Sequence, residues 1–265
     1  MKMMKRFLTI GLSFLLTLCI SVSFVGCELD INDKESVFIY GDFRYCYVDK
    51  VGARYSVKKD KAIGVNILDL VGEAKEKETI VIPETIDGLP VIAIGMEGLG
   101  WGTSLKQQGV RYKKLYLPNS LLFVSDSDDI WDGAGRKKIF FYDDFNSINW
   151  ENRITLLQNI DGGFGEIRIF VPEILYQDYQ NLEGINILNR IHIANVTYIV
   201  DDEIYWIDDY NNGEYIKFPT QPIKQGYVFD GWYKDEGFFE EWIEEIDQYQ
   251  KSQDSISIKL YAKFV

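Results

Sequence analysis

The sequence predicts a mainly β, α+β chain: a short, irregular solenoid followed by a small, separate β module. Three observations predict it. An apolar–x–apolar triplet closed by a stop recurs as "IVIP" at 80–83, "LYLP" at 115–118, "IFFY" at 139–142, "IFVP" at 169–172 and "IHIA" at 191–194. Short alternating runs separated by Gly and Asp turns fill the chain, with little helical periodicity. Beyond residue 195 the pattern changes to alternating runs rich in Tyr, Phe and Trp.

The first segment is export chemistry. Lys2, Lys5 and Arg6 precede an uncharged apolar stretch from Phe7 to Val25, the layout of an export signal. A run of roughly 19 residues would also suit a membrane-spanning helix by length alone. The end of the run favours cleavage: Gly26 precedes Cys27, and Glu28, Asp30 and Asp33 follow at once. This junction resembles the lipobox of bacterial lipoproteins, with Phe24 where leucine is usual. The resemblance implies a signal peptide over 1–26, lipid on Cys27, and a body held outside the cell on the bacterial membrane. Residues 27–52 then read as a tether passing into a first strand, "SVFIYGDFRYCYVDK".

Charge and cysteines agree with that compartment. The chain has 28 basic and 41 acidic residues, a net charge of −13. Residues 1–26 hold three of the basic ones and none of the acidic, which leaves 25 against 41, or −16, on the remaining 239. Binding phosphates requires clustered Lys and Arg. Here the basic clusters are short ("VKKDK", "RYKKLY", "GRKK") and sit beside acids, so no nucleic-acid partner is expected. With 46% hydrophobic and 15% aromatic residues, the chain can bury a core in one or two domains. Cys19 lies in the signal and Cys27 is the implied lipid acceptor, so Cys46 stands alone and no disulfide framework is available. The single histidine, His192, lies in the strand-like "RIHIANV", far from Cys46, and both read as structural.

Residues 53–194 carry the triplets, which begin at 80, 115, 139, 169 and 191. One three-residue strand cannot bury its inward side chains, but a stack of them forms a ladder with a continuous core. A closing proline fixes φ and lacks the N–H, so it ends pairing. The steps of 35, 24, 30 and 22 residues are unequal, as expected if insertions fall in loops. "IVIPETIDGLPVIAIG" at 80–95 is thus one rung rather than a lone hairpin, with Pro83 and Pro90 as punctuation and Gly88 as the turn. That stretch, with "KKLYLPNSLLFVSD" after it, resembles the BspA-type leucine-rich repeat of bacterial surface proteins. Pro83, Gly88, Pro90, Val91, Ile94, Gly95 and Leu99 fit the family motif, and Pro118 to Leu121 fit the next unit. Later copies are degenerate, and 143–165 reads as an insertion.

Residues 195–265 form the last unit. Pro219, Pro222, Lys224, Gly226, Tyr227, Phe229, Gly231, Trp232 and Tyr233, with the closing Leu260 to Phe264, resemble the Listeria–Bacteroides repeat, also called the internalin B-repeat. The resemblance implies a small β-grasp-like module of surface proteins; Phe264 stands where tryptophan is usual. Gly226 and Gly231 are expected to permit tight turns, "NNG" at 211–213 to be a hairpin turn, and Trp232 to lie in the core. Residues 238–251 suit one helix, with Phe239, Trp242, Ile243 and Ile246 on one face.

No catalytic set emerges. "GMEGLGWG" has its glycines in the reverse of the dinucleotide order. The loop "DDYNNGE" fails the EF-hand register at Tyr210 and Pro219, and "DSDD" at 126–129 is at most a weak calcium loop. No pair of acids can be singled out among 41 for glycoside hydrolysis, and the sequon at Asn195 carries little meaning in a bacterial lipoprotein. The expectation is a cell-surface lipoprotein acting in binding, adhesion or envelope scaffolding, with no cofactor, no metal and no catalysis. Its partners would be the membrane, through lipid on Cys27, and a protein or glycan. Trp101, Tyr112, Trp131 and Trp150 are the candidate binding aromatics, because Trp and Tyr are enriched among binding hot spots. The alternatives are a carbohydrate-binding accessory protein or an envelope hydrolase acting on polysaccharide, and a pure spacer.

Overall fold

The apolar triplets become neighbouring strands of one parallel sheet. The computed structural model describes residues 37–53, 56–95, 112–124, 138–142, 148–161, 167–244, 246–251 and 257–265. Strands β4 (Thr79–Val81), β7 (Lys114–Pro118), β9 (Lys138–Tyr142), β10 (Arg168–Val171) and β11 (Ile191–Ile193) pair in that order, all parallel. Their register is that of the sequence repeat: Ile80, Leu115, Ile139, Ile169 and Ile191 stand side by side. Each of the five is at most 2% exposed, and Ile82, Leu117, Phe141 and Val171 form a second buried column. Full burial of one such side chain stabilises by about 1.5–3 kcal/mol, a gain open only to the stack.

A second ladder, which the triplets do not reveal, faces the first across the core. Here β3 (Gly64–Leu70), β6 (Leu89–Ile94) and β8 (Phe123–Val124) pair in parallel. The chain alternates between the ladders, from β3 to β4, β6 to β7 and β8 to β9, so each winding contributes a strand to both. Val65, Ile67, Val91, Ile94 and Val124 meet Ile80, Leu115 and Ile139 in one core. The second ladder is extended by β2 (Phe43–Val48), antiparallel to β3, and by β1 (Phe38–Tyr40), antiparallel to β2, two strands where the sequence suggests one. After β9 a helix takes the place of a strand: α1 (Trp150–Asp161) packs beside β8 and buries Leu156, Leu157 and Ile160. Its start, inside the expected insertion, is capped by Asn149, whose Oδ1 accepts the Asn152 N–H at 3.1 Å. The short helix α2 (Tyr176–Gln180) lies against β11.

The stretch 80–95 is both rung and hairpin. Pro83 follows β4 as expected, and then β5 (Thr85–Ile86) folds back on β6. The two-residue turn places Asp87 at φ 54° and Gly88 at φ 77°, the positive values that primed hairpin turns require. Pro90 does not end a strand; it sits inside β6 opposite Thr85. The next pair makes the bond, Val91 N–H to Glu84 O at 2.9 Å, so the proline's missing N–H leaves no bond to β5 unmade.

Asp87 also pins this turn to β2. The Tyr47 and Tyr45 hydroxyls donate to the same Asp87 oxygen at 2.5 and 2.8 Å, and Lys59 Nζ lies 3.9 Å away. The Tyr47 bond foremost holds Asp87 below the usual carboxylate range. Burial and the bonds to Asp87 push both phenols up. Asp87→Ala is expected to lower stability by roughly 2–4 kcal/mol, since two buried hydroxyls lose a charged acceptor and alanine tolerates positive φ poorly. Asp87→Asn keeps the turn and an acceptor, and should cost less than half as much. A group with a lowered folded pKa stabilises above its unfolded pKa, and that stability is lost as pH falls through the folded value. Urea melts of wild type and Asp87→Asn should therefore converge towards acid pH; a pH-independent gap would refute the role given to the charge.

The C-terminal unit is one mixed sheet in the order β13 (Glu203–Asp208), β12 (Val196–Val200), β15 (Ile258–Phe264), β14 (Phe229–Tyr233). The central pair β12–β15 is parallel and the outer pairs are antiparallel. Trp232 lies in its core with Tyr198, Trp242 and Leu260. Three local expectations change. The β12–β13 hairpin turns at Asp201 and Asp202, at φ 50° and 66°, while Asn211–Gly213 makes a turn that joins no hairpin. Gly226 turns as expected at φ 84°, but Gly231 lies within β14 at a bulge, where a Cβ would meet Glu241 Oε1 at 2.9 Å. The helix expected over 238–251 is replaced by irregular chain among the described residues. There Phe238 takes φ 56°, Trp242 N–H donates to Trp232 O at 2.7 Å, and the Asp235 and Asp247 carboxylates bind the Glu240 and Ile243 N–H groups. Such side-chain bonds to backbone compete with helix. Of the expected helix face only Trp242 is buried; Phe239, Ile243 and Ile246 are exposed. Among the described residues no helix is long and apolar enough to cross a membrane.

Candidate functional site

Alternation along the ladder strands sends Lys114 and Tyr116, Lys138 and Phe140, and Arg168 and Phe170 to the outer face, in register. The three rings stack, Tyr116 on Phe140 at 4.5 Å and Phe140 on Phe170 at 5.2 Å. That face is closed by the chain's own C-terminal module. Trp206 of β13 stacks on Tyr116 at 4.3 Å, and Ile207 and Ala194 complete the cluster, leaving each ladder ring at most 3% exposed.

Charge reinforces the contact. Lys114 Nζ meets Asp208 at 2.5 Å and sits 4.0 Å from the Tyr210 ring centroid, while Lys138 Nζ meets Asp209 at 2.6 Å. Burial lowers the Lys114 pKa, and the Asp208 charge works against that shift. Three cations on adjacent parallel strands repel one another, and the module supplies acids to two of them. Arg168, the third, has no carboxylate partner among the described residues, and its Nε is buried without an acceptor.

Beside this contact opens a cleft of about 950 Å³ between ladder and module. The β4 edge (Glu78, Thr79, Val81) forms one wall, and Tyr205, Trp206 and the segment from Tyr210 to Thr220 form the other. Lys113, Lys114, Lys138, Arg168 and Lys217 line it against three acids, Glu78, Asp208 and Glu214. A net-positive cleft on so acidic a chain is a local feature, not a sample of the surface. Its acids are engaged: Glu78 with Lys113 at 2.6 Å, Asp208 with Lys114, and Glu214 with Asn211 at 2.6 and 2.7 Å. The Lys113 bond and charge lower the Glu78 pKa. Glu214 is penalised by burial, yet its bonds from Asn211 and the field of Lys138 and Lys114 bring it below the ordinary range. Neither carboxyl is poised as a proton donor near neutral pH; the arrangement suits holding an anion. Aromatic faces remain available, with Tyr215 51% exposed and Tyr205 and Phe218 half-buried.

The aromatics singled out by sequence lie elsewhere. Tyr112 is 2% exposed in the core and offers no contact surface. Trp150 opens α1, half-buried and edge-on to Tyr179 at 5.1 Å. Trp101, Trp131 and Cys27 lie outside the described residues. Cys46 is fully buried in β2, and His192 in β11 packs beside Phe170, its pKa lowered by burial and by Arg168. Among the described residues no group of three His, Cys, Asp or Glu side chains converges as a metal site would require. The cleft cations were missed although they carried a signal: Lys114, Lys138 and Arg168 each precede a triplet by one position.

Residues 195–263 match the family model of the Listeria-Bacteroides repeat domain. No curated protein matches the chain.

Proposed function

We propose that this chain is a bacterial surface lipoprotein, anchored through Cys27, that binds an extracellular ligand in the cleft between its ladder and its C-terminal module. The observation that carries the reading is the net-positive, aromatic-lined cleft in which Arg168 has no carboxylate partner among the described residues. The two facing ladders support a BspA-type leucine-rich-repeat solenoid over 53–194. The module's strand order, second, first, fourth, third with a parallel central pair, supports a β-grasp-like fold. Listeria-Bacteroides repeats occur in surface proteins, which supports the location. On this reading the protein is an adhesion or scaffold component and not an enzyme.

The anchor is tested by fractionation. Cys27→Ser is expected to move the protein from the membrane pellet to the soluble fraction; retention in the pellet would refute the lipid anchor. Binding is tested by probing glycan and peptide arrays with the chain from residue 27 onward. At least one ligand should be retained and then weakened by Tyr215→Ala, an exposed change that leaves the fold intact. Retention indifferent to that change would place the site outside the cleft.

A further inference from the structure

The ligand's chemistry can be read from what the cleft leaves unsatisfied. Lys114, Lys138 and Arg168 form one column, and the module's Asp208 and Asp209 neutralise only the first two. Arg168 is held in place by the ladder, with its guanidinium 5.6 Å from the Phe170 ring. A planar guanidinium fixed in this way suits an oxyanion such as a carboxylate, which it can grip with two parallel bonds. Lys217, exposed on the opposite wall, adds a further positive charge, which also acts on Glu78.

The rest of the lining selects the skeleton that carries the carboxylate. Tyr205, Tyr215 and Phe218 present flat apolar faces beside hydrogen-bonding groups, and sugar rings offer C–H faces that stack on such rings while their hydroxyls bond at the rim. An acidic peptide bound by strand addition would need a strand edge to pair with. The β4 edge is three residues long and Pro83 follows two residues after it, which leaves little backbone to pair with. A cleft of about 950 Å³ accepts a short oligomer rather than a polymer chain along its length.

We propose that the cleft binds an acidic oligosaccharide, with a uronate-type carboxylate on Arg168 and sugar rings on Tyr205, Tyr215 and Phe218. The proposal rests on the cleft-binding reading above and adds the ligand class.

The test is calorimetric titration of the chain from residue 27 onward with tetragalacturonate, neutral cellotetraose and tetraglutamate. Tetragalacturonate should bind, and at least about tenfold more tightly than either control. Arg168→Gln should weaken it by about tenfold or more, and Tyr215→Ala should also weaken it, with unchanged circular dichroism in both variants. Equal binding of cellotetraose, or indifference to Arg168→Gln, would overturn the carboxylate assignment while sensitivity to Tyr215→Ala still upheld the cleft. Tetraglutamate binding without tetragalacturonate binding would overturn the sugar class and keep the cleft. Failure of tetragalacturonate to bind overturns the proposal outright, and the array result with Tyr215→Ala then decides separately whether the cleft is a site.

Discussion

Ile139→Asp is expected to abolish folding of the ladder. Ile139 stands in the third of five rungs, fully buried, with Leu115 and Ile169 as its register partners. Its cluster neighbours are apolar core side chains, which solvate a carboxylate poorly. Lost burial removes about 1.5–3 kcal/mol, and an unpaired buried charge costs several kcal/mol more. Together these approach the 5–15 kcal/mol of net stability typical of a whole domain. Position matters as much as chemistry, because stacked units depend on their nearest neighbours. A break at the middle rung separates β4–β7 from β10–β11, whereas Ile191→Asp disturbs only the edge strand β11. Ile191→Asp should melt cooperatively at reduced temperature, while Ile139→Asp should show no cooperative transition and little β-sheet circular dichroism. A native-like melt for Ile139→Asp would mean that the shared column does not carry the stability assigned to it.

Why the first ladder is legible and the second is not follows from the same physics. An apolar–x–apolar triplet with a stop declares strand, face and end within four residues, and the observed register keeps those triplets side by side. The partner strands of the second ladder range from two residues in β8 to seven in β3, and they share no stop. Lone lysines before "LYL" and "IFF" look like solvated charge until period-two alternation places them on the face of Tyr116 and Phe140. Even then their partners are remote: the Lys114–Asp208 contact spans 94 residues. The ladder's own aromatics are consumed as packing under the module, so the cleft takes its exposed rings from the irregular chain after β13. The apolar spacing over 238–251 was genuine, but Asp235 and Asp247 divert the backbone N–H groups that a helix would need.

The docking of module on ladder implies that damage to one should reach the other, and Trp232→Ala tests it. Trp232 is 1% exposed, with Tyr198 at 4.9 Å, Phe229 at 5.5 Å and Tyr205 at 6.1 Å between ring centroids. Truncating a buried tryptophan costs roughly 3–5 kcal/mol, a large part of what so small a module can hold. Trp232→Phe separates volume from polarity. The indole Nε1 is buried without an acceptor, so phenylalanine loses no hydrogen bond and should cost nearer 1–2 kcal/mol. When the module opens in the alanine variant, Trp206 leaves Tyr116, and the stacked Tyr116, Phe140 and Phe170 face water. Asp208 and Asp209 leave with it, so Lys114, Lys138 and Arg168 repel one another without compensation. Hydrogen exchange should therefore quicken in β12 to β15 and, to a smaller extent, in β7, β9 and β10, with new binding of a hydrophobic dye. Unchanged protection in β7 to β10, alongside an unfolded module, would show that the ladder stands without its cover.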